Sequence, residues 1–168
     1  MTEYNGKSGA VLSALVATLE PDPVQPALIA AGRSQLMAAL HGPERWTPWA
    51  PAVSALLQIT EPDALSALQL IEQQGVWRAG LWPGSCYLQT PPLAAALAGI
   101  ARIAPGTKIA RHRHEHRELT FVLDGQLLET DGRAYGCGEL VDKPVGSEHE
   151  VTVADTSACL VIFALRVR

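Results

Sequence analysis

No stretch of the chain stays apolar for long enough to span a bilayer as a helix. The one segment that could pass for a secretion signal, residues 9–17, follows a single Lys7, has Glu3 in its would-be basic flank and soon meets Glu20 and Asp22. Its leucines and valines recur at helical spacing, so it reads as an amphipathic helix of a cytoplasmic protein without membrane contact. Cysteine is scarce. Cys86, Cys137 and Cys159 are odd in number, far apart and form no CxxC pair, which argues against a thioredoxin-like site or a zinc ribbon. They read as three buried or half-buried thiols in a reducing compartment. A basic excess is missing too. The formal net charge is −4, and the one dense basic run, residues 111–117, is interrupted by histidine and glutamate. Direct nucleic-acid binding is therefore not expected, whereas regulation of transcription through a protein partner stays open.

The 168 residues are 48% hydrophobic and 18% charged, enough to fill the core of one domain with an added N-terminal element. Residues 1–7 are polar and read as loose. Ser8 can cap a helix over residues 8–19, with Val11, Leu12, Leu15, Val16 and Leu19 on one face. Pro21 and Pro23 break it. Pro26 suits the first turn of a second helix, with Leu28, Ile29, Leu36, Met37 and Leu40 as its apolar positions, and Gly42 followed by Pro43 ends it. Residues 46–51 carry two prolines and are predicted to be extended or turned. Residues 53–58 fit strand or helix, and residues 63–73 fit a short helix or an edge strand.

From Gly75 the punctuation changes. Pro83 and Gly84, Pro105 and Gly106, Asp124 and Gly125, and Asp131 and Gly132 recur at short intervals, as between the strands of a sandwich or barrel. Residues 121–123 and 126–128 flank Asp124 and Gly125 as a hairpin would. The apolar run 159–165 reads as a central strand. Residues 93–98 have a helix-forming composition, and only their later half is read as strand.

Histidine is concentrated. Four of five lie between residues 112 and 149. His112 and His114 would share one face of a strand. Glu118 follows a bend's length later, and His149 follows the turn formers Pro144 and Gly146. Three imidazoles and a carboxylate suit Zn, Fe, Mn, Ni or Cu without choosing among them. Judged alone, HxHxxxE fits a solvated charged loop equally well, and a lone histidine such as His149, His41 or His116 is more often a surface or core residue than a ligand. His116 and Tyr135 are candidates for groups just behind the ligands.

The framing residues add weight. Gly106, His112, His114, Glu118 and Gly125 stand at the spacing of the first cupin motif, and Gly138, Pro144, Gly146 and His149 at that of the second; Val153 replaces the second motif's final asparagine. The chain thus resembles the cupin superfamily. The resemblance implies a mainly β double-stranded β-helix (jelly-roll barrel) over residues 46–168, with extra N-terminal strands, after a helical arm or connector at 1–45. It also implies one divalent metal ion on His112, His114, Glu118 and His149, with Thr120 and Val122 lining the barrel beside it. Gly106 and Gly125 would bound a ligand hairpin.

A narrower resemblance rests on Gly75, Val76, Trp77 and Arg78, then Trp82, Pro83 and Gly84, and the run of residues from Arg117 to Gly125: it is similar to the cupin half of ChrR-type anti-sigma factors. That implies zinc, with Fe, Mn and Ni as alternatives, and a sensory role toward an oxidant or small molecule. A small-molecule ligand in the barrel, a homodimer, and a protein partner reached through the N-terminal helices are further expectations. The family's N-terminal His-xxx-Cys-xx-Cys motif is absent, because no cysteine precedes Cys86. A metal-dependent (Fe or Mn) small-molecule dioxygenase is the alternative, and a purely structural ion a third reading.

Overall fold

The computed structural model describes residues 42–167; the helices expected at 8–19 and 26–40, and His41, lie outside them. The described chain begins with a 3-10 helix, Pro43–Trp49, then two α-helices, Ala50–Leu57 (α1) and Glu61–Gln69 (α2), the latter running into a 3-10 turn, Leu70–Glu72. This corrects the extended reading of residues 46–51. Ala50 precedes Pro51, yet it is right-handed helical, with φ −55° and ψ −43°. Pro51 falls in the first turn of α1, where a missing N–H forfeits no intrahelical bond. Trp46, Ala50, Val53 and Leu57 recur at helical spacing and are all buried, and that burial outweighs the pre-proline bias. Thr60 caps α2, its Oγ1 accepting from the Asp63 backbone N–H at 3.2 Å. Residues 53–57 thus resolve as helix, with Gln58 left-handed just after it, and residues 63–72 as helix and 3-10 turn rather than edge strand.

Ten strands follow: Arg78–Ala79 (β1), Ser85–Leu88 (β2), Ala98–Ile103 (β3), Lys108–Arg113 (β4), Arg117–Asp124 (β5), Leu127–Glu129 (β6), Ala134–Tyr135 (β7), Leu140–Lys143 (β8), Glu148–Val153 (β9) and Cys159–Arg166 (β10). A short helix, Pro91–Ala95 (α3), sits between β2 and β3; residues 93–95 of the alanine-rich segment are helical as their composition suggested, and of its later half, read as strand, only Ala98 is strand. The strands form two antiparallel sheets, in the orders β1-β2-β3-β10-β5-β8 and β4-β9-β6-β7. Between β3 and β10 the chain changes sheet at almost every turn, the interleaving of a jelly roll, and the two ladders stay separate. The fold is therefore the mainly β cupin type with helices on its N-terminal side.

This interleaving corrects the hairpin reading of residues 121–128. Asp124 and Gly125 do make a tight reversal, with Gly125 at φ +78°. However, β5 pairs with β10 and β8, while β6 pairs with β9 and β7, so the turn carries the chain from one sheet to the other. Likewise β4 and β5, which frame the histidines, belong to different sheets and form no hairpin.

β10 shows why two layers are needed. Cys159 and Val161 face the core between the sheets with Ile103, Val122, Leu127 and Val153. Leu160, Ile162 and Ala164 face the other way, against the helices through Leu57, Leu68 and Ile71. A strand buried on both faces is apolar without alternation, hence the continuous run. The helices supply the second cover, because an apolar sheet face left to water would forfeit burial worth about 25 cal/mol per Å². The cysteines need one correction: Cys159 is buried and Cys86 half-buried, but Cys137 is exposed.

Candidate metal centre

β4 and β9 bring two histidines together as direct cross-strand partners, His112 opposite His149. The register between them shifts after Ile109, a bulge of the kind that re-aims side chains. His114 lies just beyond β4 and is held by the corner that precedes β9. Its N–H donates to Ser147 O at 3.0 Å, and its carbonyl accepts from Gly146 N at 2.8 Å. Gly146 has φ +81°, a conformation costly for a residue with a Cβ. The turn formers of the second motif thus clamp the backbone of the first.

The three rings form a nearly equilateral triangle. Centroid separations are 4.8 Å (His112 to His114), 4.7 Å (His112 to His149) and 4.8 Å (His114 to His149), with planes inclined by 58–59°. One ring nitrogen from each lies within 4.8 Å of the others, a cluster able to hold a metal ion. Glu118 arrives from the opposite sheet, on β5. Its Oε2 is 3.7 Å from His114 Nδ1, and its Oε1 accepts from Thr120 Oγ1 at 2.9 Å.

Hydrogen bonding fixes which nitrogen is bare. His112 Nδ1 lies 3.0 Å from the Ala110 carbonyl, which can only accept, so Nδ1 carries the proton and Nε2 keeps its lone pair. His149 Nδ1 lies 2.9 Å from Glu129 Oε1, with the same consequence. His114 Nε2 is buried with no hydrogen-bond partner among the described residues. Burial pushes the His114 and His149 imidazoles below the ordinary value, although Glu118 and Glu129 respectively oppose it. Neutral imidazoles with lone pairs free are what a divalent ion requires, and an orphaned buried nitrogen is what such an ion relieves. The donor set therefore fits a metal.

Glu129 was not visible in the sequence as a functional residue. It is almost fully buried on β6 and accepts from Lys143 Nζ, at 2.7 Å on Oε1 and 2.9 Å on Oε2, besides its contact with His149. Burial alone would raise its carboxyl, but the bonds from Lys143 and His149 outweigh burial and hold it below the usual range. The available signal was its phase: Leu127 and Glu129 share the inward side of β6, with exposed Leu128 between them.

A cavity of about 540 Å³ opens beside the triangle. His112, His149, Glu118 and Glu129 reach its wall, as do Thr120 and Tyr135. Apolar and aromatic side chains, among them Trp82, Ile109, Val161 and Phe163, make up most of the rest. Val122, expected to line it, packs instead into the core between the sheets. His116 stands exposed on the bend before β5.

The family model described as ChrR cupin-like domain matches residues 83–167, just over half of the chain. Among curated proteins, a putative dimethylsulfoniopropionate lyase, DddL of Cereibacter sphaeroides, is 30% identical over 69 residues, 40% of this chain. The chain spans only 30% of that relative's length. Among solved structures, the Rhodobacter sphaeroides SigE complex with the anti-sigma ChrR matches at 21% identity and a TM-score of 0.48, over 94% of this chain and 75% of that one. An acetylacetone dioxygenase from Acinetobacter johnsonii matches at 13% identity and a TM-score of 0.43, over 55% and 70%. At these identities the likeness is one of fold and no more.

Proposed function

From the premise that the chain belongs to the ChrR cupin-like domain family, we propose that it is a metal-dependent cupin that binds a small molecule beside the ion. His112, His114 and His149 would hold the ion, with Glu118 as the fourth, anionic donor. Zinc is the expected metal, and Fe, Mn and Ni suit the same donors. The observation that carries this reading is the triangle of imidazoles, with an orphaned buried nitrogen on His114 and with His112 and His149 at the wall of a roomy cavity. A purely structural ion would need no cavity reaching its ligands. Bound there, a divalent ion supplies a Lewis-acidic centre for an oxygen of the ligand.

The role we assign is sensory and regulatory. Occupancy or oxidation at the centre would be read out by a protein partner or a second copy, with residues 1–45 as the connector and a homodimer as the working state. Metal content tests the centre first. The purified full chain is expected to carry about one ion, lost in both His112→Ala and His149→Ala; a chain with no bound divalent metal refutes it. The sensory role is then tested by treating wild type and both variants with peroxide and following oligomeric state and partner capture. A wild type that responds no differently from the variants removes that role.

The cavity also favours a second reading, a metal-dependent dioxygenase. His112, His149 and Glu118 all line it, so a substrate inside reaches the ligand atoms. Oxygen uptake by iron-loaded protein with β-diketones, thiols and phenols distinguishes the two.

A further inference from the structure

We infer that the cavity beside the histidine triangle takes a monoanionic oxygen-donor ligand with an apolar body, such as a carboxylate on a short aliphatic or aromatic chain. The inference rests on the metal reading above and specifies the ligand class of that same site.

Charge comes first. Among the described residues, no lysine or arginine lines the cavity. Its charged groups are Glu118 and Glu129, and Glu129 is already matched by Lys143 behind it. Ligating imidazoles are neutral. With a divalent ion in place, Glu118 cancels one of its charges and one positive charge is left over. A single anionic group balances that charge. A phosphate dianion overshoots it with no arginine or lysine to take the excess, and a cation meets net repulsion.

Hydrogen bonding comes second. The wall's aliphatic hydroxyls are spoken for: Thr120 Oγ1 donates to Glu118, and Ser85 Oγ to Trp82 O at 2.6 Å. A polyhydroxylated ligand would find, beyond the Tyr87 and Tyr135 phenols and the two carboxylates, a wall of Ile109, Val141, Val161 and Phe163 that offers its remaining hydroxyls no partner. An alkyl or aryl body gains from the same wall. The volume of about 540 Å³ lies within the range of small-molecule pockets. Trp82, whose ring centroid is 6.0 Å from that of His112, places an intrinsic fluorophore at the site.

The test uses zinc-loaded full-length chain and four probes: hexanoate, phenylacetate, hexanamide and glucose 6-phosphate. Binding is followed by tryptophan fluorescence and calorimetry. Hexanoate and phenylacetate are expected to bind, and hexanamide and glucose 6-phosphate to bind at least about tenfold more weakly. Val161→Phe and Val141→Phe fill the cavity from positions that are not themselves candidate metal ligands. Each should retain zinc and lose at least about tenfold in carboxylate affinity, with zinc content reporting that the variant is folded. The inference is overturned if zinc-loaded protein binds neither carboxylate. It is equally overturned if the amide or the sugar phosphate binds as well, or if both filled variants bind hexanoate like wild type. In each of those outcomes zinc is still bound, so the metal reading stands. A chain that takes up no zinc ends both.

Discussion

Glu129 offers the sharpest test of how the centre is built, because it touches a candidate ligand without belonging to the histidine triangle. Its carboxylate accepts two bonds from Lys143, at 2.7 and 2.9 Å, and one from His149 Nδ1, at 2.9 Å. Glu129→Ala strips all three. The Lys143 and His149 side chains are only 14% and 10% exposed, so neither group recovers full hydration. Removing one partner of a fully buried ion pair costs about 3–5 kcal/mol. The residual access of Lys143 places this case lower, at about 2–3 kcal/mol. The same change frees the His149 ring to flip or switch tautomer, and losing such a support typically weakens metal binding about 10–100-fold. Glu129→Gln separates the effects: its amide oxygen can still accept from His149, while Lys143 loses its counter-charge. Urea unfolding of metal-free protein measures the first quantity, and chelator competition for zinc the second. Glu129→Gln should keep more zinc affinity than Glu129→Ala and recover less of the stability. Should Glu129→Ala hold zinc within about threefold of wild type while His149→Ala loses it, the carboxylate does not position that imidazole.

Three further outcomes follow from local geometry. The His114 and His149 imidazoles are depressed by burial, so below about pH 6.5 the unfolded chain binds more protons than the folded one. Metal-free protein should therefore lose stability in urea titrations as pH falls through that value, and the Glu129 carboxyl, also depressed, extends the loss below about pH 4.5. Gly125→Ala and Gly132→Ala both place a Cβ at positive φ, but at Gly125 that atom would sit 2.5 Å from Ala158 O and 2.8 Å from Cys159 Cα, whereas at Gly132 it meets nothing within 4 Å. Thermal unfolding should show a cost of about 1 kcal/mol at Gly132 and clearly more at Gly125, and equal costs would contradict the packing of that turn. Mass spectrometry after brief native alkylation should find Cys137 modified and Cys159 untouched, since the latter is buried and its thiol is pushed up to about 12.

Much of the centre was readable because its residues sit in two short motifs. His112, His114 and His149 are spaced by turns whose glycines and proline have fixed conformational meanings, and the structure gathers their rings within a few ångströms. Glu129 escaped because a carboxylate in the run Leu127, Leu128, Glu129 resembles a solvated strand end; only the strand's phase and a lysine fourteen residues away turn it inward. The misread hairpin has the same root. Asp124 and Gly125 announce a reversal, but a local signal does not say whether the returning strand pairs with its predecessor or crosses to another sheet. At residues 46–51 local and tertiary preferences conflict: prolines argue for extension, while burial of Trp46, Ala50 and Val53 against the outer sheet face selects helix.

The crossing turns also explain why the centre bears on the whole fold. His112 and His149 belong to the four-stranded sheet and Glu118 to the six-stranded one, and no backbone ladder joins a strand of one sheet to the other. The sheets meet through side chains alone, in an apolar core that includes Val122 and Val153 and around the cavity that Val151 and Val161 help to line. Where the core is hollow, polar contacts take over: Lys143 on β8 reaches Glu129 on β6, and Glu118 on β5 approaches His114. An ion held by both sheets would add a tie at that hollow side and would act on the folded form only.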